Sequence, residues 1–193
     1  MQADIKVECF HKGGTMEKTS LNLPLNEEKI NKLKIGESVL ISGTIYTARD
    51  AAHKRMIDSL KKNEKLPFDL KGQIIYYVGP APARENKVIG PAGPTTSYRM
   101  DSFTPKLLKA GLKGMIGKGN RDQKVIQAMK EEGAIYFAAT GGAAALISKS
   151  IKKSEIIAYP DLGSEAIRKL EVKEMPVTVA IDINGNNIYN RSD

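Results

Sequence analysis

Three short stretches of the chain place a cation or a hydroxyl where glycine, proline or a strand end would leave it accessible. The first is Gly93-Pro94-Thr95-Thr96-Ser97-Tyr98-Arg99-Met100-Asp101, which crowds two threonines, a serine and an arginine together with almost nothing apolar. Hydroxyls donate and accept, and a guanidinium is a planar fork that matches a carboxylate or a phosphate. The same hydroxyls could close a turn by bonding their own backbone. Arg99 is hard to explain that way.

The second stretch is Thr47-Ala48-Arg49-Asp50-Ala51-Ala52-His53. A helix that begins near Thr47, capped by that threonine with Asp50 three residues on, sets Arg49 and His53 one turn apart on a shared face. A cation at a helix N-terminus opposes the helix dipole unless an anion visits. The simpler alternative is an Asp50 cap, an exposed arginine and a packed histidine. Asp50 could also orient His53 or Arg49.

The third stretch is Gly117-Lys118-Gly119-Asn120-Arg121, a strand running into a glycine-flanked lysine with a helix directly after it. Backbone amides, a helix terminus and an ammonium could all face one anion there. It is not a Walker P-loop, because the glycine spacing and the hydroxyl after the lysine are missing. A flexible turn with a solvated lysine explains it equally well. A fourth run, Thr140 to Leu146, consists of small residues after a buried strand. It would let a backbone approach closely, and tight helix–strand packing accounts for it more simply.

These residues need a scaffold. The chain reads as strands at Ile5–Phe10, Thr19–Leu25, Ser38–Ala48 (one strand or a bent pair broken at Gly43), Gln73–Gly79, Gly114–Asn120 (a strand running into a loop), "AIYFAA", "EIIAY" and "PVTVAID". Helices are expected over Asn26–Glu37, from Thr47 onward with Ala52, Met56 and Leu60 inward, over "RDQKVIQAMKEEG" and over "GGAAALISKSI". Asn184-Gly185 signals a tight hairpin with Asn187 to Tyr189 returning. Gly79 to Gly93 is a long connection, a kind often functional in compact domains. Strands alternating with helices predict an α/β layer structure, with the first forty residues as a β-rich side sheet.

Bulk properties narrow the function. The 193 residues suffice for one substantial core. A net charge of +8 favours anionic partners, but its lysines alternate with glutamates and no block of five like charges occurs. With 6% aromatic residues there is little to stack on bases, so a small dianion suits the pattern better than nucleic acid. No apolar run reaches the ~20 residues that span a bilayer, and no leader-like segment opens the chain, so a cytoplasmic location is expected. The single cysteine, Cys9, cannot by itself supply the roughly three or four thiolates that an iron–sulfur cluster takes. Two histidines, His11 and His53, are too few for a histidine-rich metal centre.

The segments "TARDAAHKR", "GPTTSYRMDSFTPKLL", "GMIGKGN", "AIYFAATGGAAAL" and "KLEVKEMPVTVAIDINGNNIY", in this order, closely resemble the β subunit of class I fumarate hydratases and L-tartrate dehydratases, which is also the C-terminal domain of single-chain members. The likeness runs from about Leu40 to Tyr189. It implies a single domain over residues 1–193, a three-layer, swivelling β/β/α domain of the fumarase C-terminal type. It implies reversible hydration of fumarate to (S)-malate, with tartrate to oxaloacetate as the alternative. It implies a [4Fe–4S] cluster held by a separate α subunit and no metal ligand here. An α2β2 assembly or a homodimer of this chain follows from the same likeness. Residue by residue, it implies that Arg49, Arg99 and Lys118 bind substrate carboxylates, with Thr96 a binding neighbour. It gives Thr95 the role of base and His53 an active-site role in the tartrate branch. A free hydroxyl is a poor base, whereas a histidine near its ordinary pKa of about 6.5 is well matched to neutral pH, so both stand as candidates. A basic module that binds polyanions is the reading from a different class.

Overall fold

The computed structural model describes residues 18–139 and 144–190. The expected strand Ile5–Phe10, Cys9, His11 and residues 140–143 of the small-residue run lie outside the described residues.

Seven strands appear among the described residues: β1 Lys18–Asn22, β2 Ser38–Thr47, β3 Ile74–Tyr76, β4 Gly114–Gly117, β5 Ile135–Ala138, β6 Ile151–Ala158 and β7 Ile167–Ile181. The helices are α1 Glu27–Asn31, α2 Asp50–Lys61, α3 Thr104–Lys109, α4 Gln123–Glu132 and α5 Ala144–Ser150. The order across the sheet is β1-β2-β3-β4-β5-β7-β6, with the first five mutually parallel. β7 runs antiparallel to β5 and also to β2, so the sheet closes on itself through β2, β3, β4, β5 and β7. The α/β class therefore holds. The separate side sheet does not: β1 pairs directly with β2 in the same sheet.

Alternation along each strand makes two cores. Ile74, Tyr76, Ile135 and Phe137 point inward with Ile41, Ile45, Leu170 and Val179. Ile75, Met115 and Tyr136 point outward, where Met56, Leu107, Leu108, Val125 and Met129 of α2, α3 and α4 cover them. The three βα units thus layer their helices on one side and carry every loop that follows β2, β3 and β4 to the same carboxyl-terminal edge.

Several boundaries differ from expectation for local reasons. α1 stops at Asn31 rather than running to Glu37, and the chain turns through Gly36 at a φ of 83°. β7 is 15 residues long rather than the seven of "PVTVAID", because paired neighbours on both sides stabilise its polar first half. α3 has only six residues and too short a period to stand out. After the Asn184-Gly185 turn only Asn187 pairs back, with Ile181, and a 3-10 turn at Ile188–Asn190 follows. α4 falls within the expected helix "RDQKVIQAMKEEG": Asp122 caps it by accepting from Val125 N, and Gly133 closes it in the left-handed region.

Candidate active site

The first stretch to reach the carboxyl-terminal edge is the end of β2. Thr47 does not cap the helix. It is the last residue of β2, and its buried hydroxyl donates to Ala166 O at 3.3 Å and accepts from Arg168 N at 3.0 Å. Arg49 occupies the N-cap position without a side-chain cap bond, and Asp50 is the first helical residue. The vacant capping role is filled from elsewhere in the chain: Glu165 Oε2 accepts from Ala51 N at 3.0 Å. Sequence spacing could not reveal Glu165, which lies 114 residues away in the 3-10 turn Pro160–Glu165.

Arg49 is mostly covered. Its Nη2 lies 3.5 Å from Glu165 Oε1 and 3.8 Å from Asp50 Oδ2. The guanidinium runs over Gly79, where an added Cβ would meet Arg49 Nη1 at 2.8 Å and push the guanidinium aside. Asp50 also serves Arg99, whose Nε donates to Asp50 Oδ1 at 2.9 Å. Glu165, Arg49, Asp50 and Arg99 thus form an alternating line of charges. Among the described residues, the buried Arg49 Nε and Asp50 Oδ2 find no hydrogen-bond partner. Such orphaned groups are costly unless a ligand or water meets them.

The Thr95–Arg99 segment is not a self-contained turn. Thr95 N donates to Tyr77 O at 2.6 Å, Thr96 forms a parallel bridge with Lys118, and Ser97 N donates to Lys118 O at 2.9 Å. The segment wedges between the continuations of β3 and β4 and then becomes a 3-10 turn, Ser97–Met100, that carries Arg99 outward. Thr95 and Thr96 are half-buried, and Arg99 and Lys118 are exposed. The two links, Arg99 to Asp50 and Thr96 to Lys118, draw all three candidate stretches to one edge. In open parallel sheets ligands bind beyond the carboxyl ends of the strands, and the three stretches lie at that end here.

His53 is fully buried, so it does not share an accessible face with Arg49. Its Nδ1 lies 2.8 Å from Arg49 O. A carbonyl can only accept, so Nδ1 carries the proton and Nε2 keeps the lone pair, which has no partner among the described residues. The rings of Tyr77 and Phe103 flank it at 5.4 Å and 6.0 Å. Burial pushes its pKa down to about 4; the charge of Arg121 adds to this, while the bond to Arg49 O and the Asp50 carboxylate oppose it. At neutral pH the ring is neutral.

Arg121, the last residue of the glycine-flanked stretch, points inward rather than at an anion. Its Nε pairs with Asp101 Oδ1 at 2.6 Å, and Nη2 donates to Thr104 Oγ1 at 2.8 Å. Asp101 Oδ2 accepts from Asp122 N at 2.9 Å. The guanidinium also faces the rings of Tyr77 and Tyr136 at 5.4 Å and 5.2 Å. A wholly buried charge survives only when so paired.

No group of three or more possible metal-ligating side chains occurs among the described residues. With one cysteine in the sequence, this chain's residues do not fit a cluster that takes several thiolates. No helix among the described residues is long and apolar enough to cross a membrane.

The model of the family described as Fumarase C-terminus matches residues 2–192. The chain belongs to this family. It is 42% identical over 171 residues to a protein of Methanocaldococcus jannaschii provisionally named L(+)-tartrate dehydratase subunit beta, covering 86% of this chain and 88% of that one. It is 37% identical over 180 residues to the aerobic class I fumarate hydratase of Salmonella typhimurium, covering 91% of this chain and 31% of that one. Fumarate hydratase 2 of Leishmania major is 36% identical over 186 residues, covering 94% and 33%. The chain therefore spans nearly the full length of the first relative and about a third of the two fumarate hydratases.

Proposed function

We propose that this chain is the β component of a hydro-lyase that interconverts fumarate and (S)-malate, active only with an α subunit. The observation that carries the reading is the pair of links, Asp50–Arg99 and Thr96–Lys118, that gathers two arginines and a lysine at one strand edge. A four-carbon dicarboxylate has two charges to bind, and guanidinium forks suit carboxylates.

In this reading Arg49, Arg99 and Lys118 hold the carboxylates and Thr96 lines the pocket beside them. Thr95 exchanges the proton at carbon, its hydroxyl acidified by the neighbouring cations. His53 loses the advantage it had by type: a sealed imidazole with a pKa near 4 is a weak base at neutral pH, and its bond to Arg49 O suits it to orienting the start of α2. Asp50 orients Arg49 and Arg99. The [4Fe–4S] cluster belongs to the α subunit, since the residues here do not fit it, and no step assigned to this chain passes through it. One swivelling β/β/α domain over residues 1–193, a cytoplasmic location and an α2β2 assembly complete the proposal.

The Methanocaldococcus relative, matched over nearly its whole length, favours a second reading in which tartrate is dehydrated to oxaloacetate. Co-expression with a candidate α subunit, anaerobic reconstitution and parallel assays of fumarate and tartrate separate the two. Activity of this chain alone, or of the complex on neither acid, refutes both readings. Tight, steeply salt-dependent binding to polyanions would instead favour the binding module.

A further inference from the structure

The hydroxyl of Tyr136 touches both halves of the candidate site without facing a substrate. Tyr136 lies on β5, and its side chain is completely buried. Its hydroxyl donates to Gly119 O at 2.8 Å. Ser97 Oγ lies 2.8 Å from the same hydroxyl. A phenol has one proton, and the carbonyl can only accept it, so Ser97 must be the donor in the second bond. The result is a directed chain, Ser97 to Tyr136 to Gly119. Ser97 sits between Thr96 and Arg99; Gly119 follows Lys118.

From this geometry we infer that Tyr136 is a positioning residue. Its hydroxyl fixes the distance between the Thr95–Arg99 segment and the Lys118 loop, and with it the spacing of the cations offered to the two carboxylates. The inference rests on the proposed function for its chemistry but not for its geometry. The backbone links between Thr96–Ser97 and Lys118 set the register of the two segments. They leave the tilt of the Gly119 peptide open, and that glycine sits at a φ of 79°, where the backbone has little steric restraint. Tyr189 also bonds the Gly119 backbone, but among the described residues the Tyr136 hydroxyl alone links that backbone to Ser97 through side chains. The ring has a separate task, as one face of the Arg121 cage, so removing the oxygen alone leaves the packing in place.

The test is Tyr136→Phe in the assembled complex. The expected result is a KM for the dicarboxylate raised about tenfold, the weight of one net hydrogen bond, with kcat changed much less. Ser97→Ala should act in the same direction, and the double variant should be no worse than Tyr136→Phe alone, because both act through one chain. Hydrogen exchange should quicken at residues 96–99 and 118–121 together. A Tyr136→Phe complex with unaltered KM and unaltered exchange overturns the inference. So does a loss of melting temperature with the KM unchanged. If the wild-type complex transforms neither fumarate nor tartrate, the proposed function falls; the exchange measurement then decides the positioning role alone.

Discussion

Arg99 Nε meets Asp50 Oδ1 at 2.9 Å across 49 residues of chain. That single ion pair brings the helix-start stretch and the threonine-rich stretch into one candidate site. Asp50 is shared, since its other oxygen is the one nearest Arg49. A carboxylate placed between two arginines separates them and keeps their repulsion small.

Arg99→Lys is expected to lower kcat/KM about a hundredfold, in the range seen when one transition-state donor is removed. Lysine keeps the charge but loses the fork that can hold Asp50 and a carboxylate together. Arg99 is partly exposed and lies at the rim, so the melting temperature should move little. Steady-state kinetics of the reconstituted complex check this, and near-normal turnover would remove Arg99 from the site.

Glu165→Gln removes the negative charge that faces Arg49 and the first turn of α2. Charge at a helix N-terminus contributes about 0.5 kcal/mol, so a melting temperature lower by roughly 1–2 °C is expected. The larger effect should be on KM, because Arg49 is left with Asp50 alone. Equal KM values for variant and wild type would restrict Glu165 to capping.

His53 gives the protein an acid-side weakness with a definite sign. Its folded-state pKa of about 4 lies below the unfolded value of 6.5. Between those two values the unfolded chain binds a proton that the native chain refuses. Stability is therefore intact above pH 6.5 and falls as the pH drops toward 4, by about 3 kcal/mol in all. His53→Gln should flatten this limb of the curve of melting temperature against pH, even if the variant is less stable throughout. An unchanged slope would mean that the ring is more accessible than its burial between Tyr77 and Phe103 implies.

Gly117→Ala should be severe for so small a change. The added Cβ would fall 2.0 Å from Ser97 Oγ and 2.9 Å from the Tyr77 ring, both buried. Overpacking of this kind costs about 1–3 kcal/mol, and a thermal melt lowered by roughly 5 °C is expected. Because Ser97 must move, the KM for the dicarboxylate should rise as well.

Much of this arrangement is legible in residue order. Strand-ending glycines, the Asp122 and Gly133 signals of α4, and the three cation-bearing loops can all be read locally, because each depends on neighbours within a turn. What could not be read depends on distant partners. Glu165 completes a helix start 114 residues away, and Thr47 looks like a cap until the backbone near Ala166 and Arg168 claims its hydroxyl. Lys118 and Arg121 are alike by type, and only the fold shows the first exposed and the second buried against Asp101. His53 suits proton transfer by identity, and only its surroundings reveal the depressed pKa.

β7 seals the sheet by pairing with β2 near one end of the chain and β5 far beyond it. Such closure cannot happen before β7 itself is free to pair with both. Until then β2 and β5 present bare, apolar edges in the crowded cell, where edges of this kind recruit other chains. Production of this polypeptide should therefore be limited by the speed with which β7 docks, so that cooler, slower expression or a waiting chaperone improves the yield more than any change to the loops that carry Arg49, Arg99 and Lys118.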